Sequence, residues 1–427
     1  MASINTNIVT SFVAKQIFEL NVGMNPLISS ANRYYVDTFQ NSLPYAPGTT
    51  VNIKVPGYPN VNTGLTDIPQ GLVDVVLPYV ITEDDIYSTT YLVDNFEIKF
   101  NFKGGAGALT DAQKANIVDS YALPTYLAFQ QKQENVAAFR MKTTAMYTPI
   151  DTLEKLSGIN NFSGVSQVSE FMDNLQYSEE RYFMMNLKDG YAVSNSLQNS
   201  FNTKLNENVS DSGWIGGSSI NSNLAGLQVK KSKNLTKHTA GPLAAWSLTN
   251  PITIASIDGT GTLVTLTGVD AVSTKLVNAG DYFSVPSVQL LSPIDKVVFD
   301  KKLVLKASED ANGDGFGNVV IKLPYPLFAS GMHAIVDSLP APGAAVIPYP
   351  SRNLNFAYVP SGLSVVPLPL GKVYGAENSD STAMNKCPIS AYMQGAVLDL
   401  ANVFRIAQLI GIRAFTPYIV EVPSSAA

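Results

Sequence analysis

The sequence predicts an α+β chain with an antiparallel β domain inserted between two mixed stretches. Three observations carry this. Val51, Ile53 and Val55 alternate with Asn52 and Lys54, the two-residue period of a half-buried strand. From Thr125 to Met146 the residues are strong helix formers without Gly or Pro. Between 232 and 350 helix signals vanish, and short β-prone runs alternate with turn residues. At 427 residues the chain is long enough for two or three domains, or for one domain with a large insertion.

Taken in order, 1–40 reads as an N-terminal arm with a short helix. Asn5, Thr6 and Asn7 can cap it, and Ile8, Val9, Phe12, Val13, Ile17 and Phe18 give a stripe near helical spacing. Asn25-Pro26 is expected to stop it. Such a stripe needs cover, from its own core or from a neighbouring subunit. Segment 41–100 reads as a long β-hairpin followed by further strand. Val51–Val55 is broken by Pro56-Gly57-Tyr58-Pro59, a polar tip follows, and Leu72–Ile81 returns as a β-rich run through Val73 and Val75. Long tips of this kind are usually functional or bound by a partner. Tyr87–Phe100 adds strand character.

Segment 101–160 opens on the glycine-rich Lys103–Gly107. Thr110 with Gln113 has capping-box spacing, and Pro124 suits a first helical turn. The long helix follows, with Tyr126, Phe129, Val136, Phe139 and Met146 as its apolar positions, and Pro149 ends it. Segment 161–231 mixes a helix over Val165–Leu175, a strand over Tyr182–Asn186 and a helix over Lys188–Phe201. Segment 232–351 carries strands over Ile252–Ile257, Thr262–Val269, Asp281–Leu291, Lys296–Lys306 and Val319–Leu323, the spacing of a small barrel or sandwich. Segment 352–427 resumes mixed structure: strand pattern at Phe356 and Tyr358 and at Leu363–Val366, a helix or strand pair over Val397–Ile412, and a last strand over Tyr418–Val422.

Composition narrows the chemistry. Charged residues make up 15%, against about 25% in a typical domain. Such a surface suits a protein that covers much of itself with partners. The net charge of −6 argues against dedicated nucleic-acid binding. Cys387 is the only cysteine, and His238 and His333 are the only histidines. A Cys/His zinc site would need carboxylates to complete it, and neither histidine lies near a nucleophile elbow. Both read as structural. No apolar run reaches about 18 residues, and the first twenty residues lack a secretory pattern.

Asp310-Ala311-Asn312-Gly313-Asp314-Gly315 matches the first half of a calcium loop, but the twelfth position is Ile321 where a bidentate Glu is needed. It reads as a turn. The sequons at Asn161, Asn208 and Asn234 read as chance matches in an Asn-rich chain. The basic cluster Lys230, Lys231, Lys233 and Lys237 reads as a solvated linker. The acidic runs Glu83-Asp84-Asp85 and Glu179-Glu180 read as exposed loop or cap charges. No cofactor motif is present, and the expectation is a protein that is not an enzyme.

The order of parts, with certain local motifs, resembles the major capsid (coat) proteins of tailed bacteriophages, the Hong Kong 97 type of fold. It is most similar to those of short-tailed Salmonella phages, which carry an inserted β domain. Ile8-Val9-Thr10 with Pro26 looks like the family arm. Ala225-Gly226 through Asn234-Leu235-Thr236 looks like its approach to the insertion. Arg405-Ile406-Ala407, Gly411, Ala414 and Pro417 look like its C-terminal segment. The loop near Ser247–Thr253 is shorter than the family's, and the arm, with Ala14, Lys15 and Glu19, is less acidic.

The resemblance implies an N-arm over 1–40, an E-loop hairpin and P-domain strands over 41–100, and a P-domain with spine helix over 101–160. It implies an A-domain over 161–231, an inserted antiparallel β-barrel over 232–351, and closing P- and A-domain segments over 352–427. The implied function is self-assembly as hexamers and pentamers of an icosahedral shell around double-stranded DNA, held without sequence specificity. A scaffolding protein and a portal are implied partners. The implied location is the virion, after assembly in the host bacterial cytoplasm. No membrane, metal or cofactor is implied. Assembly contacts are expected from Val51, Ile53, Val55, Tyr58, Val73 and Val75 on the hairpin, and from Ile8, Phe12 and Ile17 on the arm. Two other readings stay open: a β-rich surface or adhesion protein that binds a ligand through 232–350, and a bacterial nanocompartment shell protein.

Overall fold

The computed structural model describes residues 26–36, 50–55, 75–94, 111–149, 161–175, 180–200, 222–235, 237–293, 295–368, 370, 377–381, 389–396, 401–416 and 418–425. In chain order, α1 (Pro26–Ser29) precedes strands β1 (Thr50–Val55), β2 (Val75–Val80) and β3 (Ile86–Asp94). Helix α2 (Asp111–Ile117) passes through one π-helical turn at Val118–Ala122 into α3 (Leu123–Thr144). Then come α4 (Phe162–Asn174), β4 (Tyr182–Asn186), α5 (Leu187–Ser200), β5 (Ser222–Leu224), β6 (Leu227–Ser232), β7 (Lys237–His238) and α6 (Pro242–Trp246). The strand-rich stretch holds β8 (Ile252–Ile257), β9 (Leu263–Thr267), β10 (Lys275–Val277), β11 (Tyr282–Leu291), β12 (Val298–Lys306), β13 (Ala311–Asn312), β14 (Asn318–Lys322) and β15 (Ala345–Pro348). The chain closes with β16 (Arg352–Asn353), β17 (Phe356–Tyr358), β18 (Leu363–Leu368), β19 (Glu377–Ser381), β20 (Ile389–Ala396), β21 (Ala401–Ala414), β22 (Ile419–Glu421) and β23 (Ser424–Ser425). The architecture is α+β with strands predominating.

The chain divides into two compact units. The first holds Met1–Ile53, Pro78–Ala137 and Ser364–Arg413; the second holds Lys54–Leu77, Ala138–Leu363 and Ala414–Ala427. Segments 161–231 and 232–351 share the second unit. Their apolar core is continuous, and the Phe171 ring on α4 lies 6.0 Å from Phe299 on β12.

In the first unit β21 is the central strand. It pairs antiparallel with β20 in the register Ala396↔Ala401 and with β3 in the register Leu409↔Ile86, while β18 and β19 extend the sheet. Where a helix or strand pair was expected over Val397–Ile412, residues 401–412 belong to the one long strand β21, and its partner β20 lies before that range. The residues of β21 are buried without a break from Ile406 to Ile412, as in a central strand covered on both faces. The first half of α3 lies against this sheet: Tyr91 Oη and Thr125 Oγ1 are 2.8 Å apart, and Gln133 Nε2 donates to Gln408 Oε1 at 2.8 Å. Gly411 allows a close approach, since a Cβ there would stand 2.7 Å from Ile81 Cγ1. Tyr79 Oη donates to the Gly411 carbonyl at 3.0 Å.

Helix α3 has 22 residues and is about 33 Å long. It buries Tyr126, Phe129, Gln133, Ala137 and Met141, the spacing of one helical face. Phe139, expected on that face, is 47% exposed, with Lys142 Nζ 5.0 Å over its ring, and Val136 is only half-buried. Pro26 opens α1, where its missing N–H costs nothing; the arm helix it was expected to stop lies outside the described residues.

In the second unit a five-stranded sheet has the order β22-β17-β4-β6-β5, with β4 and β6 parallel. Helix α4 is capped by Asn161, whose Oδ1 accepts from Gly164 N at 2.9 Å, and it buries Val165, Val168, Phe171 and Met172. The antiparallel sheet of the strand-rich stretch has the order β12-β11-β15-β8-β9-β14, with β10 and β13 paired beside it. Ser308, just past β12, donates from N and Oγ to the Lys322 carbonyl at the end of β14 (2.9 and 3.0 Å). The two edges of this sheet therefore meet at that point. Strands β10, β13 and β15 escaped the sequence pattern because they span two to four residues, too short for alternation to register.

Candidate functional site

The residues expected to carry assembly contacts divide by position. Ile8, Phe12, Ile17, Tyr58 and Val73 lie outside the described residues. Strands β1 and β2 pair as a two-stranded sheet. Ile53, Val55 and Val75 are buried, and Val55 and Val75 belong to the continuous core of the second unit; Val51 is half-buried. These side chains thus find cover in their own chain, because the alternation that marks a strand also points one face inward. The opposite face displays Asn52 and Lys54 on β1, and Val76 (41% exposed), Pro78 and Val80 (39%) on β2. The sequence pattern located the strands but not which of their faces the chain itself covers.

The calcium-like segment is a hydrogen-bonded turn. Asp310 accepts from Lys275 Nζ at 2.7 Å and from Ala279 N at 2.8 Å. Asp314 Oδ2 accepts from Asn318 Nδ2 (2.8 Å) and its Oδ1 from Asn318 N (3.0 Å) and Phe316 N (2.7 Å), which together hold its carboxyl below the usual range. Asn312 sits on β13 opposite Lys275. Among the described residues no group of three or more His, Cys, Asp or Glu converges as metal ligands would. No helix among them is long and apolar enough to cross a membrane.

Both histidines are buried and hydrogen-bonded. His238 Nε2 lies 2.8 Å from Asp281 Oδ1, and burial pushes its pKa down. His333 Nδ1 lies 2.9 Å from Tyr325 Oη. The basic cluster is laid over aromatic rings: Lys230 Nζ is 5.0 Å from the centre of Tyr182, and Lys231 Nζ is 4.1 Å from that of Tyr191. Of the acidic runs, Asp85 is buried and accepts from Thr82 N at 2.8 Å, capping the turn Glu83–Asp85; Glu179 lies outside the described residues.

Two buried polar clusters in the second unit were not visible in the sequence. In the first, Glu421 on β22 is fully buried and takes Lys306 Nζ at 2.5 Å on Oε2 and Arg352 Nε at 2.6 Å on Oε1. Arg352 Nη2 donates to the Gly280 carbonyl at 2.7 Å, while its Nη1 has no hydrogen-bond partner among the described residues. Tyr282 lies beneath both cations, with Lys306 Nζ 3.5 Å and Arg352 Cζ 4.4 Å from its ring centre, and its hydroxyl donates to the Ala145 carbonyl at 3.2 Å. Burial pushes Lys306 down to about 7 against the pull of Glu421. Burial would raise Glu421, but Arg352 and Lys306 outweigh it and hold the carboxyl below its ordinary range. With every charged side chain closed to solvent, no substrate reaches this cluster. It ties β12, β16 and β22 together.

In the second cluster Asp189 Oδ2 accepts from Asn186 Nδ2 (2.7 Å), Asn355 Nδ2 (2.7 Å) and Ser424 Oγ (2.5 Å). Asn186 Oδ1 in turn accepts from Asp189 N at 2.9 Å and so caps α5. This network joins the start of α5 to the chain before β17 and to β23. The only signals for either cluster were single charged residues inside apolar strand runs, such as Glu421 after Ile419-Val420. One sequence cannot say which of them pair.

No family model and no curated protein matches the chain. Among solved structures, it is similar to one described as Mycobacterium phage Che8, at 11% identity over 93% of this chain and 91% of that one, with a TM-score of 0.42. It is similar to the capsid of Ralstonia phage GP4, at 8% identity over 90% and 85%, with a TM-score of 0.39. It is similar to the capsid of the cyanophage P-SCSP1u, at 12% identity over 90% and 86%, with a TM-score of 0.37.

Proposed function

We propose that this chain is the major capsid subunit of a tailed phage, of the Hong Kong 97 type, which self-assembles into the shell that encloses double-stranded DNA. The reading rests on the sequence resemblance, which runs in order through nearly the whole chain. One structural observation supports it most. The two elements that the resemblance identifies as the E-loop hairpin and the spine helix each bury one face in this chain and leave large apolar side chains out on the other. These are Val76 and Val80 on β2, and Leu123 (38% exposed), Leu127 (50%) and Phe139 (47%) on α3. Rigid elements with apolar side chains on the outside mark surfaces for protein contact. Many such contacts among identical copies hold a shell without any one interface being tight.

On this reading the copies form hexamers and pentamers, a scaffolding protein and a portal guide assembly in the host cytoplasm, and the shell expands as DNA enters. The segments 1–40 and 56–74 supply the remaining contacts, through Ile8, Phe12, Ile17, Tyr58 and Val73. The buried clusters are joints that keep the subunit whole under those movements, and no catalysis is assigned to the chain. Negative-stain electron microscopy and sedimentation of the full chain, alone and co-expressed with a scaffolding protein, test the reading. Closed shells are expected; a monomer under all of these conditions refutes it.

A further inference from the structure

The chain leaves the five-stranded sheet for the strand-rich stretch through β7, which follows β6, and comes back through β16, which precedes β17. These two short strands pair antiparallel in the register His238↔Arg352, so the way out and the way back form one neck. A single carboxylate fastens it. Asp281, just before β11, is buried, and His238 Nε2 lies 2.8 Å from its Oδ1. Its Oδ2 accepts from Gly241 N, at the start of α6, at 3.1 Å and from Asn278 N at 2.8 Å. Asn278 Nδ2 donates to the Thr239 carbonyl at 3.0 Å, and Ala240 N donates to Ser351 Oγ at 3.0 Å. Residues 238–241 are thus held by 278–281 on one side and by 351–352 on the other. Gly241 sits so close that a Cβ there would stand 2.4 Å from the Leu276 carbonyl oxygen.

A carboxylate only accepts, so the neutral imidazole carries its proton on Nε2 and donates it to Asp281. The other charges facing this place are mostly positive. Arg352 comes from β16 and Lys142 from α3. Lys306 from β12 shares Glu421 of β22 with Arg352, and the exposed Asp310 is taken by Lys275. Among the described residues, three cations therefore stand around the two buried carboxylates. A proton added to His238 brings a fourth positive charge into a closed space. Burial pushes the His238 pKa below its ordinary value, Asp281 pulls it up, and Arg352 and Lys142 push it down again.

We propose that His238 is an acid-sensitive pin for this neck. While neutral it holds 238–241 against 278–281; once protonated it turns out to water, and the neck and the start of α6 come loose with it. The far end of α6 stays anchored, because Trp246 Nε1 donates to the Gly268 carbonyl at 2.9 Å and Leu243 is buried. The pin belongs to the single subunit and works whether or not copies assemble. With the folded value below 6.5, the released neck binds more protons than the closed one once pH falls past 6.5. Closure is fully present above 6.5 and is lost as pH falls through the folded value. A histidine that regains its ordinary pKa on release shifts opening by up to about thirtyfold at pH 5.0.

Hydrogen exchange of the full chain, read by mass spectrometry at pH 7.5 and 5.0 and corrected for intrinsic rates, tests this. Peptides covering 238–246 are expected to lose at least about tenfold in protection at pH 5.0, relative to peptides covering β9. In His238→Gln the loss is expected to drop below about twofold, because the amide keeps a donor at the Nε2 position and does not titrate. Lys306 also gains charge over this fall in pH, and His238→Gln leaves that change intact. His333→Asn, which removes the other histidine, is expected to keep the whole loss. Exchange at the imidazole C2 position in the parent gives the pH at which His238 itself titrates, and it needs neither variant to fold. That pH should coincide with the midpoint of opening. Protection of 238–246 that is equal at both pH values overturns the pin. So does opening that persists in His238→Gln, that disappears in His333→Asn, or whose midpoint departs from that of His238. None of these results bears on the shell reading.

Discussion

Glu421 shows how much one side chain can decide. It is a single carboxylate shared by two buried cations, so removing its charge leaves Lys306 and Arg352 without a counter-ion. Glu421→Gln is expected to destabilise the fold by about 3–5 kcal/mol in denaturant titration. Lys306→Met, by contrast, leaves a balanced Arg352–Glu421 pair and an apolar chain over Tyr282, and is expected to be neutral or stabilising. The pH dependence follows with its sign. Lys306 is lowered from 10.5 to about 7 in the folded chain, so between those values the unfolded chain binds more protons and stability rises with pH. The lysine's contribution is fully present above 10.5 and is lost as pH falls through about 7. Unfolding midpoints measured from pH 7 to 10 should climb for the parent and climb less for Lys306→Met. Equal slopes would show that Lys306 titrates normally.

At the scale of elements, β21 depends on the close approach at Gly411. A methyl group there meets Ile81 Cγ1 and Cδ1 at 2.7 and 2.8 Å, and both belong to a buried side chain. Gly411→Ala is expected to cost about 1–3 kcal/mol, as overpacking does, and Ile81→Val in the same chain should return part of that loss. Thermal unfolding of the two variants separates this from a general glycine effect, which the second substitution would not rescue. Helix α3 shows where element-level reading falls short. Its length was legible because no Gly or Pro interrupts it. Its buried face was not, because Gln133, Ala137 and Ala138 lie inside while Leu127 and Phe139 lie outside. A helix that carries apolar residues all round gives no single stripe to read.

For the whole molecule, the outward face of β2 is the surface where the shell reading can be probed without disturbing the subunit. Val76 and Val80 are exposed and the residues opposite them on the strand face inward, so Val76→Ser with Val80→Ser should leave the unfolding midpoint within about 0.5 kcal/mol of the parent's. Assembly should weaken at least several-fold by light scattering. Normal shells from that variant would remove the hairpin base from the contact set. The core of the second unit matters at this scale too. Phe171 on α4 and Phe299 on β12 belong to one continuous packed region, so the strand-rich stretch and the 161–231 segment are expected to unfold in one transition.

The sequence by itself determined the kind and order of the longer elements, apart from the stretch over 397–412. Alternation at Val51–Val55, the uninterrupted run through α3, and turn residues at regular spacing from 252 to 323 are local signals, written within a few residues of chain. Scarce histidine and cysteine likewise set the chemistry that the chain cannot perform in the usual ways. Only the tertiary structure decided which faces are spent. It turned Ile53, Val55 and Val75 inward, brought Lys306 and Arg352 to the Glu421 carboxylate across up to 115 residues of chain, and left Phe316 exposed at the tip of a turn. The reason is physical. A strand's period says that two faces differ, and the rest of the chain says which one meets water. Pairing between distant residues depends on where the backbone returns, and no local pattern encodes that.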